Sequence, residues 1–184
     1  MGITVKSGHG GVAPANSFEP ARLVIGMTES DCHTVSIYLF KLFLEEHGIA
    51  VLNLGACVSL DRMFSAARDY TAQAIVFGAQ NGHAYDDLIG LRQCRERYAL
   101  ACPVFLGGNL TVGAEKDRDI DEIFREIGVD YLVSDFESFL SIFQYLNVTR
   151  SAVACEAATD LPASLGTVAG ATAASSHLAR YARH

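Results

Sequence analysis

The chain has 184 residues and a formal net charge of −7, from 21 acidic against 14 basic residues, with half of the residues apolar and 19% charged. That length suits one globular domain with some chain to spare, and the composition excludes disorder throughout. Lys and Arg form no stripe that could neutralise phosphates, no apolar run reaches the ~20 residues needed to span a bilayer, and Met1 to Glu19 lacks the order of a signal peptide; nucleic acid and membrane are thereby excluded as partners, and a cytoplasmic protein is expected.

Residues 1–20 are rich in Gly and small polar residues and show no hydrophobic period, which predicts a loose leader. A first strand follows over about Arg22 to Met27 and breaks into the polar turn Ser30-Asp31-Cys32-His33. Val35, Leu39, Leu42 and Phe43 then recur at helical spacing, with Ile37, Phe40 and Leu44 as a second apolar strip, so the first helix is expected to end near Gly48 and to be buried on more than one side or covered by a partner. Ala50 to Leu54 reads as strand two, and Ser59 as the cap of a helix whose Leu60, Met63, Phe64, Ala67 and Tyr70 share a face. Strand three, Ala74 to Phe77, ends in the turn Gly78-Ala79-Gln80-Asn81-Gly82, and one helix is predicted from Ala84 to Tyr98. Strand four, Pro103 to Leu106, runs into Gly107-Gly108-Asn109; the acidic turn Asp117-Arg118-Asp119 opens a helix with Ile120, Ile123, Phe124 and Ile127 on its apolar face. Val129 to Val133 gives strand five, and Ser134-Asp135 starts a last helix through about Leu146. The Ala, Ser, Thr and Gly of residues 150–184 predict a flexible tail or weak helix.

Strand and helix alternating five times, with continuously apolar strands, predict an α/β fold: a doubly wound, flavodoxin-like five-stranded parallel sheet over residues 21–149, in order 2-1-3-4-5. Ligands of such sheets bind beyond the carboxyl ends of the strands. Along that edge, Asp31 can take the Nδ1 proton of His33 and leave Nε2 free as a metal ligand; alternatively, Ser30 or Asp31 caps the next helix. Paired glycines at 107 and 108 admit a ligand to the backbone or serve a turn with positive φ. Dinucleotide binding is disfavoured because no glycine lies between Met27 and His33, and receiver chemistry because strand three ends in Phe77-Gly78 and strand five in Ser134-Asp135. Five cysteines without metal spacing read as reduced thiols, and Cys32 has no basic neighbour but His33 to activate it. Arg92, Arg95 and Arg97 read as a solvated helix face.

Ser30-Asp31-Cys32-His33, Gly90-Leu91-Arg92-Gln93 and Gly107-Gly108-Asn109-Leu110-Thr111-Val112-Gly113 together resemble the cobalamin-binding small subunit of methylaspartate (glutamate) mutase, over about Arg22 to Val148. The resemblance implies that His33 replaces the cofactor's own base as lower ligand of the cobalt of adenosylcobalamin, with Asp31 behind it. It implies a slot for the displaced nucleotide that involves Gly107 and Gly108 and is lined by Asn109 to Gly113. Thr34, after the motif, and Gly78, Ala79 and Gln80, after strand three, join the candidate cofactor-binding residues. The resemblance further implies an isomerase in which catalytic residues come from a larger barrel-type partner subunit, with the first helix and the turn from Gly78 to Tyr85 as contact surfaces. Two departures stand out against the general signature, Asp-x-His-x-x-Gly with Ser-x-Leu: Ser36 occupies the Gly position, while Gly78 and Gln80 occupy the Ser and Leu positions. They keep open a corrinoid carrier or methyltransferase module, or a degenerate domain that no longer binds cobalamin.

Overall fold

The structure, a computed structural model, describes residues 19–110 and 120–158, the side chains of residues 150–158 excepted. Five strands, β1 (Arg22–Met27), β2 (Ala50–Asn53), β3 (Ala74–Ala79), β4 (Val104–Gly108) and β5 (Tyr131–Val133), alternate with helices α1 (Thr34–Glu46), α2 (Leu60–Asp69), α3 (Ala84–Leu88), α4 (Leu91–Tyr98), α5 (Ile120–Ile127) and α6 (Phe136–Ala158). All pairings are parallel, in the order β2-β1-β3-β4-β5, as the alternation predicts. Among the described residues no helix is long and apolar enough to cross a membrane. The chain divides between Phe143 and Gln144 into two compact units; the described part of the second is helix, in which the Thr149 hydroxyl donates to the Tyr145 carbonyl at 2.9 Å.

In the first unit, period-two alternation gives the sheet two different faces. One carries Val24, Ile75, Phe77, Val104 and Leu106 against Met63, Phe64, Leu88, Leu91 and Phe124 of α2 to α5, all buried. On the other, Phe105 stacks on Tyr131 at 4.9 Å and meets Phe139 of α6 edge-on at 4.7 Å, while Phe40 of α1 packs on Phe136 and Phe139 at 4.9 and 5.0 Å. These rings form an aromatic wedge between α1 and the start of α6.

Four expectations are corrected. The buried strip of α1 is Ile37, Phe40 and Leu44, whereas Val35 and Tyr38 are 72% and 55% exposed, with Leu39 and Leu42 exposed beside them. Both strips have helical spacing, so periodicity could not choose between them. The single helix predicted from Ala84 to Tyr98 is two, because Ile89 turns extended and Gly90 takes φ 95°, a left-handed conformation that suits glycine. The last helix continues past Leu146 to Ala158, through an alanine-rich stretch of high helix propensity. Arg92 and Arg95 are not a solvated face. Arg92 donates to the Glu126 and Arg125 carbonyls at 2.6 and 2.8 Å; Arg95 donates to the Gly128 and Cys102 carbonyls and pairs with Asp130 at 2.9 Å, fastening α4 to the α5–β5 turn. Arg97 pairs with Asp61 at 2.6 Å.

Candidate functional site

The carboxyl ends of β1, β3, β4 and β5 lie in one register row, Met27–Gly78–Gly107–Val133, on the α1 and α6 face. Two side chains are missing from the middle of that row, and a cleft results. Its walls are Ser36, Ile37 and Phe40 of α1, Gln80 after β3, and Ser134, Asp135, Phe136 and Phe139 at the end of β5 and the start of α6, with Gly78, Gly107, Gly108 and Val133 as its floor. The glycines also answer to packing within the sheet: a Cβ on Gly78 would sit 2.8 Å from Met27 Sδ, and one on Gly107 2.9 Å from Val133 Cγ2. Gly108 has φ 116°, and a Cβ there would collide with the Ala79 carbonyl. Of the two uses that the sequence left open, Gly108 thus serves the second, a positive φ, with the Ala79 carbonyl packed where a Cβ would be.

Asp31 does not line this cleft but is bonded to Gln80 of its wall, and is fully buried. Oδ1 accepts from the His33 backbone N–H at 2.8 Å and lies 2.8 Å from His33 Nδ1; Oδ2 accepts from the backbone N–H groups of Gln80 and Asn81. Its own carbonyl accepts from Cys57 N–H at 3.0 Å. Burial alone would raise the Asp31 pKa, but the hydrogen bonds from Gln80, His33 and Asn81 outweigh it and hold the carboxyl below its ordinary range. An ionised carboxylate can only accept, so Nδ1 of a neutral His33 carries the proton and Nε2 keeps a lone pair. The His33 side chain is 60% exposed, so that lone pair is available to a ligand. Among the described residues no group of three or more His, Cys, Asp or Glu could hold a metal ion.

The other predicted residues separate into those that reach this site and those that do not. Ser30 donates to Asp87 at 2.8 Å and accepts from Asn81 at 2.8 Å, tying the first turn to the third. It buttresses the site without lining the cleft. Cys32 and Thr34 are exposed beside His33. Ala79 is buried in the core of the opposite face, and Leu110 packs against that same core, so neither forms part of the cleft wall. Asn109 is exposed and donates its backbone N–H to the Ala79 carbonyl at 2.7 Å. Thr111, Val112 and Gly113 lie outside the described residues, as do Asp117 to Asp119 and the expected leader. The sequence reading missed Ile37, Phe40, Ser134, Asp135, Phe136 and Phe139 as cleft residues; only the position of Ser134-Asp135 at a strand end could have pointed to them. Asp135 accepts from Ser138 N–H and from Ser134 Oγ, both at 2.7 Å, and these bonds hold its carboxyl below the ordinary range.

Residues 21–134 match the family model described as the B12 binding domain. The chain belongs to the B12 binding domain family. Among curated members of known naming, it is 38% identical over 111 residues to the glutamate mutase sigma subunit of Escherichia coli O157:H7, covering 60% of this chain and 74% of that one. It is 32% identical over 113 residues to glutamate mutase sigma subunit 1 of Haloarcula marismortui, with 61% and 75% covered. Among solved structures, a cobalamin-binding protein from Desulfitobacterium hafniense superposes with a TM-score of 0.58 at 18% identity, over 69% of this chain and 59% of that one. The monomethylamine corrinoid protein of Methanosarcina barkeri superposes at 0.53 and 18%, over 69% and 58%. The chain thus spans under two thirds of those two solved chains, and at such identity they show a shared fold.

Proposed function

We propose that this chain is the cofactor-binding subunit of a glutamate (methylaspartate) mutase-like isomerase, which holds adenosylcobalamin with its nucleotide base displaced and presents it to a larger, barrel-type catalytic subunit. The observation that carries this reading is the Asp31–His33 pair: Nδ1 is engaged by a buried carboxylate at 2.8 Å and Nε2 is open to solvent. Such a pair fixes the tautomer and orientation of the imidazole and raises its basicity as a ligand. Cobalt in a corrin ring arrives with most of its ligands in place, so a single imidazole, that of His33, would serve as its lower ligand. The cleft floored by Gly78 and Gly107 would hold the displaced nucleotide, with Ile37 and Phe40 of α1 on one side.

When bound, adenosylcobalamin supplies the radical that starts a carbon-skeleton rearrangement. This chain's residues position and shelter: Asp31 orients His33, its buried carboxylate keeps the proton on Nδ1, and the aromatic wedge between α1 and α6 keeps the cleft open. A substrate with carboxylates needs cationic clamps and a general base. Arg92, Arg95 and Arg97 are already committed to internal carbonyls and carboxylates. Those groups therefore belong to the partner. The exposed apolar strip Val35, Tyr38, Leu39 and Leu42 starts two residues after His33 and is the surface suited to receive it.

The test is to mix the purified chain with hydroxocobalamin or adenosylcobalamin and record visible and EPR spectra. A base-off, histidine-bound signature that disappears in His33→Ala is the expected result. Its absence, or its persistence in that variant, overturns the reading.

A further inference from the structure

Two thiols that the cobalamin reading leaves unused stand together beside His33, a feature independent of that reading. Cys32 lies in the turn after β1 and Cys57 in the turn after β2, and both are exposed. By contrast, Cys94 and Cys102 are buried in the core. The Cys57 N–H donates to the Asp31 carbonyl at 3.0 Å, and its thiol donates to the same oxygen at 3.6 Å. In a parallel sheet a residue donates to the carbonyl that precedes its lateral neighbour. Here Ala50 donates to Ala21 and is paired with Arg22, and Ile75 donates to Pro103 and is paired with Val104. By the same relation Cys57 has Cys32 as its neighbour, although both lie past the ends of the strands. Peptide dimensions and that single bond hold the two Cα atoms within about 7 Å at most, and register neighbours usually lie about 5 Å apart. A disulfide spans roughly 4.4–6.8 Å between Cα atoms. Cys57 keeps its place at φ 52°, a left-handed conformation that a non-glycine residue adopts at a cost. The turn is thus held against local preference, with the sulfur kept beside the peptide bond that leads into Cys32.

We propose that Cys32 and Cys57 form a dithiol–disulfide couple, closed by a hydroperoxide, that cross-links the turn carrying His33 to the turn after β2. One sulfur attacks a peroxide oxygen; the O–O bond breaks, and with hydrogen peroxide one water leaves and a sulfenic acid remains. The second sulfur attacks the sulfenic sulfur, the S–O bond breaks, and a second water carries off the remaining thiol proton. Two thiols give up two electrons, and one peroxide is reduced to two waters. The cross-link fixes the residue that precedes His33, so the redox state of the pair sets how freely the imidazole's turn can move.

The experiment takes the full chain, reduced and freed of reductant, treats it with an equimolar amount of hydrogen peroxide, alkylates it, and digests it with trypsin without reduction. Trypsin cuts after Arg22, Lys41 and Arg62, so the expected product is peptide 23–41 joined to peptide 42–62, a species that dithiothreitol separates. Cys32→Ser and Cys57→Ser are expected to lack it, with unchanged circular dichroism spectra, and to leave on the remaining thiol a sulfenic acid that dimedone traps. In denaturing guanidinium the yield of the joined peptides is expected to fall at least about fivefold, because loop closure then has to be found by chance. Two separately alkylated peptides after peroxide, a disulfide from either cysteine to Cys155 or to a second chain in its place, or an equal yield in the folded and unfolded chain overturn the proposal.

Discussion

Two adjacent register rows cross the same four strands and meet opposite fates. The row Gly26–Phe77–Leu106–Leu132 faces α2 to α5, and its one gap, at Gly26, is filled by Met63 and Val58, which stand 3.0 Å from where a Cβ would be. The next row, Met27–Gly78–Gly107–Val133, faces α1 and α6; a Cβ on Gly78 or Gly107 would meet Met27 or Val133 just as closely, at 2.8 and 2.9 Å, but this row lines a cleft. A shift of one residue separates a closed core from the cleft, because successive side chains leave a strand on opposite faces. Core packing and cleft lining are thus carried by alternate residues of single strands, and substitutions one position apart should have different kinds of effect.

The largest expected effect lies in the closed row. Phe77→Ala empties a fully buried ring site and should cost about 3–5 kcal/mol of unfolding free energy in urea titration. A loss under about 1 kcal/mol would mean that this face does not carry the stability assigned to it. At the boundary between the rows, Asp31→Asn leaves the shape and replaces an acceptor oxygen by a donor facing N–H groups, for an expected loss of about 2 kcal/mol. The difference from wild type should depend on pH with a fixed sign. Because the folded Asp31 pKa lies below the unfolded value of 3.8, its contribution is complete above that value and is lost as pH falls through the lower folded one. Thermal unfolding of the two proteins should therefore differ by a constant amount well above pH 3.8 and converge on acidification below it; a difference that does not shrink below pH 3.8 would show that the carboxylate is not held in its charged form. The smallest stability effect is expected in the open row, where Gly107→Ala adds one methyl against Val133 at a cost of about 1 kcal/mol. That methyl enters the cleft, so corrinoid affinity should fall about tenfold, equivalent to 1.4 kcal/mol. An unchanged affinity would place the ligand elsewhere.

The closed row and the strand order were readable in the sequence because long apolar strands and one-sided helices have clear periods. Ser59, Met63, Phe64 and Ala67 mark α2 in this way, and its cap and buried face are as expected. The open row was half readable. Asp31, His33, Gly107 and Gly108 stood out by type and spacing, and the fold brings their turns to one edge. The α1 side was misjudged because Val35 and Leu39 are as apolar as Ile37 and Phe40, and only the tertiary position of the helix says which strip is covered. Asp135, Phe136 and Phe139 join the cleft through a long-range placement that no local pattern encodes. The break at Gly90 escaped notice since a glycine within a helical period is tolerated as often as it terminates one.

Asp31 gathers its donors from two different turns, His33 in the first and Gln80 and Asn81 in the third. A single carboxylate therefore acts as a shared hinge pin for the imidazole and for the residue at the cleft wall. Neither can be retuned by moving the backbone beneath it without displacing the other. A shift of either turn is therefore felt at the other, whereas replacing the Gln80 side chain leaves its backbone contact to Asp31 in place.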